Sequence, residues 1–218
     1  MGLIPEEQRQ RLREEFERSL KDDVKVLVFT QENECPFCKQ ARELVEEVAS
    51  VSNKIKVEVY DFVKNSDSAR KYQVDKVPAI AILGKKDHGI RFYGLPYGYE
   101  FRAFTESIIN VSKGVTDLSE ETKKKLKSVK NPVHIQVFVT LTCPYCPVVT
   151  ELAHKFAIES DLIRADMIEV SEFPHLGHKY SVMGVPKTVI NEKTEVVGAV
   201  PEELFVQQVM LAQRSSSM

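Results

Sequence analysis

Hydrophobic and polar positions alternate along the chain with two different periods. Leu12, Phe16 and Leu20 stand on one helical face among charged residues. Residues 24–29 form an apolar, β-branched run, whereas residues 54–62 alternate apolar with polar side chains, and both patterns are typical of strands. The predicted helices cover residues 5–21, 36–51, 66–72, 99–111, 118–127, 144–158, 174–180 and 201–212. The predicted strands cover residues 24–29, 54–62, 77–83, 89–93, 133–139, 162–170, 186–190 and 195–197, and the serines at 215–217 are expected to fray.

The order of these elements occurs twice, and so do several residues at a fixed offset of 108. The matching positions are Cys35 and Cys143, Cys38 and Cys146, Asp61 and Glu169, Tyr72 and Tyr180, and Val77-Pro78 and Val185-Pro186. So many coincidences at one offset predict two copies of one domain. We place the first domain at residues 1–115 and the second at residues 116–218.

Each copy reads as strand, helix, strand, short helix, strand hairpin and helix. The first strand–helix–strand unit is a parallel crossover, which is right-handed in nearly all proteins. The hairpin adds antiparallel strands, so the sheet of each copy is mixed. The predicted fold class is therefore α/β, with two tandem domains that each contain a mixed β-sheet flanked by helices.

Composition limits the functions that this chain can have. Of 218 residues, 43% are hydrophobic and 28% charged, and the net charge is −2, as in a soluble globular protein. Such a balance gives no reason to expect binding to nucleic acid or to an anionic membrane. The apolar runs are too short to cross a bilayer, and the first 21 residues are too charged for a signal peptide. We therefore expect a cytoplasmic protein.

The protein's four cysteines all lie in two Cys-Pro-x-Cys motifs, each between a predicted strand and a predicted helix. A disulfide between such close neighbours would stabilise a fold very little, and structural disulfides are unusual in most cytoplasms. Redox chemistry is the better interpretation, because the start of a helix favours a thiolate. We expect Cys35 and Cys143 to attack and Cys38 and Cys146 to resolve. The intervening dipeptides are Pro36-Phe37 and Pro144-Tyr145, whose prolines suit a helix start.

A strand, a Cys-Pro-x-Cys motif and a helix, with Val-Pro some forty residues later, resemble the thioredoxin/glutaredoxin superfamily. Two such units in tandem resemble the glutaredoxin-like protein disulfide oxidoreductases of hyperthermophilic archaea and bacteria. The resemblance implies dithiol–disulfide exchange on protein disulfides, with redox-active disulfides and no bound cofactor. It also implies an electron supply from a flavoprotein of the thioredoxin-reductase type. By the same resemblance, the bonds before Pro78 and Pro186 are cis, and the backbones of Val77 and Val185 pair with substrate.

The sequence also departs from the patterns of this superfamily. Thioredoxins carry a tryptophan before the first cysteine, where this chain has Glu34 and Thr142. The buried aspartate of thioredoxins has no counterpart in the apolar strands around residues 29 and 137. Proton transfer is therefore assigned, as a hypothesis, to Asp61 and Glu169 at the ends of the next strands. The residue that directly follows the second cysteine of the motif also differs between the two copies.

That difference is Lys39 in the first copy and Pro147 in the second, and it predicts different reduction potentials. We expect the Cys143 site to be the more active, because Cys-Pro-Tyr-Cys matches the commonest glutaredoxin motif. Two other functions stay open. One is an electron relay in a peroxidase system, and the other is a structural module in which the cysteines hold a metal such as zinc, although we expect no metal.

Overall fold

The computed structural model of the chain describes residues 2–215, so Ser216 and Ser217 of the predicted frayed tail lie outside it. The helices are α1 Glu6–Ser19, α2 Cys38–Ala49, α3 Ser66–Lys71, α4 Glu100–Lys113, α5 Glu120–Lys127, α6 Cys146–Glu159, α7 Pro174–Lys179 and α8 Glu202–Ser215. The strands are β1 Val24–Thr30, β2 Ile55–Asp61, β3 Ala79–Leu83, β4 Asp87–Tyr93, β5 Val133–Val139, β6 Ile163–Glu169, β7 Lys187–Ile190 and β8 Thr194–Val197. Every predicted element is present, which confirms the repeat and the α/β class.

The strands of both halves form one continuous sheet of eight strands, in the order β2-β1-β3-β4-β6-β5-β7-β8. Strands β4 and β6 join the halves as a parallel pair, with Ile90 opposite Ala165 and Tyr93 opposite Ile168. The mixed sheet in each half agrees with the prediction, whereas the pairing between the halves was not predicted. The predicted limit between residues 115 and 116 falls in the segment that links α4 to α5, and it stays a prediction.

The two strands that precede the cysteine motifs point the same way. Strand β1 is antiparallel to β3, β3 is antiparallel to β4, β4 is parallel to β6, and β6 is parallel to β5. The carboxyl ends of β1 and β5 therefore lie at one edge of the sheet, four strand spacings or roughly 19 Å apart. Both cysteine motifs open at that edge.

Helices cover the sheet unequally on its two faces. Val26 and Val28 belong to the larger core, which also contains side chains of α1, α2, α4, α5, α6 and α8. Leu27 and Phe29 point to the other face, where the short helices α3 and α7 cover a smaller core. Strand β1 is thus buried on both faces, as its nearly continuous apolar run predicted.

Packing between α4 and α6 places the second cysteine motif against the first half of the protein. Helix α4 ends at Lys113 and is followed by Gly114, whose φ of 66° is readily adopted by glycine. Ser119 caps α5 by accepting a hydrogen bond of 3.2 Å from the Thr122 amide. Among the described residues, no helix is long and apolar enough to cross a membrane.

Candidate redox sites

The first cysteine site lies where β1 passes into α2. Cys35 and Cys38 form a disulfide with their Cα atoms 5.4 Å apart. Cys38 begins α2 and is buried, whereas Cys35 is partly exposed. The Gln31 amide donates a hydrogen bond of 3.4 Å to the Cys38 sulfur. The more accessible sulfur is therefore that of Cys35, as the predicted roles require.

The second site repeats this arrangement between β5 and α6. Cys143 and Cys146 form a disulfide with a Cα separation of 5.5 Å. The Cys146 amide, at the start of α6, donates a hydrogen bond of 3.2 Å to the Cys143 sulfur. Such a donor and the positive end of the helix dipole favour a thiolate at Cys143 once the bond is reduced. Cys143 is 8% exposed and Cys146 is fully buried.

Both helices begin two residues later than predicted, at Cys38 and Cys146 instead of Pro36 and Pro144. The first three residues of each motif precede the helix, and in the first motif they form a turn in which the Cys38 amide donates a hydrogen bond of 3.3 Å to the Cys35 carbonyl. Pro147 then lies in the first turn of α6, where proline removes no intrahelical hydrogen bond. The attacking cysteines consequently stand just before the helices.

The bonds Val77–Pro78 and Val185–Pro186 are both cis, as the resemblance predicted. Each proline directly precedes a strand that is antiparallel to the strand leading into a cysteine motif. Val77 and Val185 make no backbone hydrogen bond with other described residues. Their backbone groups are therefore free to pair with a bound chain, although that role stays a prediction.

The two carboxylates assigned to proton transfer are occupied elsewhere. Asp61 accepts hydrogen bonds from the amides of Lys64 at 2.7 Å and Val63 at 3.0 Å, and these bonds, with the charge of Lys64, hold its pKa below the ordinary value. Glu169 is buried and accepts a hydrogen bond of 2.8 Å from the Glu172 amide. Both side chains therefore cap turns, and their role in proton transfer stays untested.

A buried carboxyl group that the sequence analysis did not identify lies beside the second site. Glu100, the first residue of α4, is completely buried, and burial raises its pKa to about 8. The Thr150 hydroxyl, one turn after Cys146 on α6, lies close enough to lower that pKa somewhat. Neither oxygen of Glu100 has a hydrogen bond of ordinary geometry, nor does the Thr150 hydroxyl. Glu100 is therefore held largely protonated at neutral pH.

A second carboxyl group, Glu151, faces the same contact between α4 and α6. Burial raises its pKa, and the Arg102 guanidinium, whose Nε lies 3.1 Å from Glu151 Oε1, opposes that change. In the first copy, the residue matching Thr150 is Arg42, which points outward and pairs with Glu46 at 2.7 Å. The helix of the second site is thus covered by buried acidic groups, whereas that position of the first site faces solvent.

The distance between the two sites bears on the metal hypothesis. A tetrahedral site of four cysteines needs all four sulfurs about 2.3 Å from one ion. Each cysteine is instead bonded to its neighbour in sequence, and the two pairs are separated by four strand spacings, roughly 19 Å. This geometry is incompatible with a single zinc ion shared by both pairs.

Comparisons with known proteins agree with this geometry. The family described as "Thioredoxin domain" matches residues 23–105 and 133–211. A protein disulfide oxidoreductase from Aeropyrum pernix K1 is 34% identical, with a TM-score of 0.91 over 97% of this chain and 94% of the other. The NTD_N/C domain of alkylhydroperoxide reductase AhpF from Enterococcus faecalis is 25% identical, with a TM-score of 0.88 over 94% of this chain and 99% of that domain.

Curated relatives are longer proteins. An NADH dehydrogenase from Bacillus subtilis is 25% identical over 150 residues, which are 68% of this chain and 27% of the relative. An alkyl hydroperoxide reductase protein from Staphylococcus aureus N315 is 22% identical over 154 residues, which are 70% of this chain and 28% of the relative. The chain thus spans less than a third of the length of these two relatives.

Proposed function

Since this chain belongs to the thioredoxin-domain family, as two tandem copies, we propose that both copies act on protein substrates as a protein disulfide oxidoreductase. The chain carries out thiol–disulfide exchange. One observation supports protein disulfides as substrates. Each copy contains a redox-active cysteine pair and also a valine whose backbone makes no hydrogen bond with other described residues. Val77 precedes the strand that pairs with β1, and Val185 precedes the strand that pairs with β5, each at the end of the sheet where a cysteine motif begins.

The proposed cycle begins with both cysteines of a site reduced. The thiolate of Cys35 or Cys143 attacks one sulfur of a substrate disulfide, which forms a mixed disulfide and releases the other substrate sulfur as a thiolate. Cys38 or Cys146 then loses its proton and attacks the mixed disulfide. The second substrate thiol leaves, and the enzyme holds a disulfide. In reverse, the same steps oxidise a substrate dithiol.

At the second site, we assign the proton of Cys146 to the ionised fraction of Glu100, which is about a tenth of the carboxyl groups at pH 7. An ordinary thiol has a pKa of about 8.5, and the pKa of Glu100 is about 8, so the proton moves between them at little cost in free energy. Glu100 lies beside Thr150 at the contact between α4 and α6, and Thr150 stands one helical turn after Cys146. This assignment concerns the second site alone, and the hypothesis for Asp61 and Glu169 stays untested.

Electrons must reach the chain from another protein. We propose a flavoprotein of the thioredoxin-reductase type, because the sequence resembles families that such proteins reduce. The similarity to the alkyl hydroperoxide reductase proteins supports a reductase of this kind. We further propose that the exchange takes place in the cytoplasm.

That similarity also favours a second function, an electron relay within a peroxide-reducing system. The two functions differ in what the chain reduces. A general oxidoreductase reduces unrelated protein disulfides, whereas a relay passes electrons to a dedicated partner. Two complete cysteine pairs in one chain favour the first function.

Insulin reduction tests the proposal. We expect turnover with dithiothreitol by the natural chain, partial turnover by Cys35→Ser and by Cys143→Ser, and none above background by the double variant. Undiminished turnover by the double variant would contradict the proposed function. No turnover by the natural chain, with retained disulfide formation at both sites, would favour the relay.

A further inference from the structure

The side chains around the two cysteine pairs are different. Six positions around each site have a counterpart at the offset of 108 residues. Two lie in the loop before the first cysteine, two in the helix after the second cysteine, and two in the turn before the cis proline. In the first copy they are Glu32, Glu34, Lys39, Gln40, Asp75 and Lys76. In the second copy they are Thr140, Thr142, Pro147, Val148, Met183 and Gly184. Five of the six positions are charged around the first site, and none is charged around the second.

Apolar side chains face water at the second site. Met183 is 95% exposed, Tyr145 68% and Val148 49%. In the first copy, the residue matching Tyr145 is Phe37, which is 38% exposed. We call the exposed side chains of Tyr145, Val148 and Met183 the apolar rim.

Met183 lies in the turn that leads into β7, the strand that pairs with β5. Strands β5 and β7 are antiparallel, with Phe138 opposite Lys187. Val185 and Pro186 directly precede β7, and Thr140 directly follows β5, so the segment that contains Met183 enters the sheet beside the end of β5 from which the chain leads to Cys143. Because the Val185 backbone makes no hydrogen bond with other described residues, an extended chain can pair with it, and the exposed side chain of Met183 stands two residues away along the same segment.

The matching turn of the first copy is charged and internally bonded. The Lys76 ammonium lies 2.5 Å from Asp75 Oδ1 and 3.7 Å from the centre of the Tyr93 ring. An apolar chain docked there would take water away from Asp75 without offering it a hydrogen bond, which is unfavourable. A polar or charged chain would not incur that cost.

We propose that the two sites take different substrates, a conclusion that rests on the proposed function. The Cys143 site takes disulfides within extended apolar segments, as non-native proteins expose them. The Cys35 site takes disulfides flanked by charged residues. Residues 183 and 184 determine specificity at the second site, and residues 75 and 76 do so at the first.

Two full-length variants isolate the sites: Cys35→Ser/Cys38→Ser keeps the second, and Cys143→Ser/Cys146→Ser keeps the first. Each is reduced, freed of reductant and mixed with an excess of a disulfide-linked peptide dimer. One dimer has leucine and valine around its cysteine, another has lysine and glutamate, and bis(2-hydroxyethyl) disulfide serves as a small uncharged reference. The second-order rate constant for peptide thiol release is measured at low and high salt.

We expect the second site to react about tenfold faster with the apolar than with the charged dimer, the size of effect that burial of one apolar side chain gives. The first site should show the opposite preference, and its rate with the charged dimer should fall as salt rises. Equal preference at the two sites would overturn the proposal. Failure of both sites with all three disulfides would instead overturn the proposed function.

Substitutions then test the named residues. Met183→Asp/Gly184→Lys should lower the apolar-to-charged rate ratio of the second site about tenfold. The added lysine enters open space, because a Cβ at Gly184 would meet no atom within 4 Å. Asp75→Met should raise the same ratio at the first site. Val115→Asp is the control, since Val115 is 64% exposed in the link between α4 and α5, and it should leave the ratio unchanged. An unchanged ratio in the Met183 variant would also contradict the assignment.

Discussion

Replacing Glu100 by glutamine should make the protein more stable and its second site slower. Glu100 is completely buried at the contact between α4 and α6, and burial raises its pKa from 4.5 to about 8. Glutamine has nearly the same shape as the protonated carboxyl group but cannot ionise. The substitution therefore removes the titration and leaves the packing.

The pH dependence of the effect follows from proton linkage. Between pH 4.5 and about 8, the folded chain holds a proton on Glu100 that the unfolded chain has lost, so folding stability falls as pH rises. The loss is about 1.4 kcal/mol for each pH unit, or about 3 kcal/mol by pH 7 and about 5 kcal/mol above pH 8. Glu100→Gln should recover these amounts.

Urea unfolding of the oxidised protein at pH 5, 7 and 9 measures this difference. The variant and the natural chain should be nearly equal at pH 5, and the variant should be increasingly more stable toward pH 9. Glu120→Gln is the control, because its side chain is 91% exposed and its substitution should leave the pH profile unchanged. A stability difference that does not grow with pH would refute the reasoning.

Catalysis should change in the opposite direction. In the Cys35→Ser/Cys38→Ser background, Glu100→Gln should slow the resolving attack of Cys146 about tenfold at pH 7, because a general base contributes about a hundredfold and only about a tenth of Glu100 is ionised there. The defect should shrink at alkaline pH, where the thiol ionises without help. In the Cys143→Ser/Cys146→Ser background the substitution should leave the first site unaffected. A normal rate at the second site would remove Glu100 from the mechanism.

Two other substitutions follow from the packing. Gly98→Ala should impair the second site selectively, because the added Cβ would lie 2.4 Å from the carbonyl oxygen of Leu141, two residues before Cys143, at a φ of 59°. Gly114→Ala is the control, since Gly114 has a similar φ of 66° but open space around it. Equal kinetics at the second site in both variants would contradict this reasoning. Asp166→Asn should destabilise the fold by about 3–5 kcal/mol in urea unfolding, because it breaks a buried charge network in which Asp166 pairs with Arg164 at 2.8 Å and His134 at 2.6 Å. Burial alone would raise the Asp166 pKa, but the hydrogen bonds from His134 and Arg164 hold it below its ordinary value of 3.8, so this stabilisation should be present above that pH and disappear in stronger acid.

Features that depend on short stretches of chain could be predicted from the sequence. The cysteine pairs need only a strand, a turn and a helix in succession, and the repeat shows that pattern twice. The cis bonds before Pro78 and Pro186 followed from the resemblance and the common spacing from each first cysteine. The helix starts were placed two residues early, because proline after cysteine suits a first helical position and also suits a turn.

Features that depend on contacts between the halves could not be predicted in this way. A glutamate in the first turn of a helix is the ordinary exposed pattern, so nothing in the sequence distinguishes Glu100 from other such residues. Only the packing of α4 against α6 buries it. The pairing of β4 with β6 likewise leaves no periodic signal, because either strand would look the same beside another partner.

The most direct test of the account is the pH dependence of alkylation of the reduced protein by iodoacetamide, with each cysteine followed by peptide mass spectrometry. Cys35 and Cys143 should react first, with apparent pKa values clearly below the ordinary thiol value of about 8.5, while the buried Cys38 and Cys146 stay protected. Equal reactivity of all four cysteines with ordinary thiol ionisation would contradict the claim that each half holds an activated thiolate beside a resolving partner.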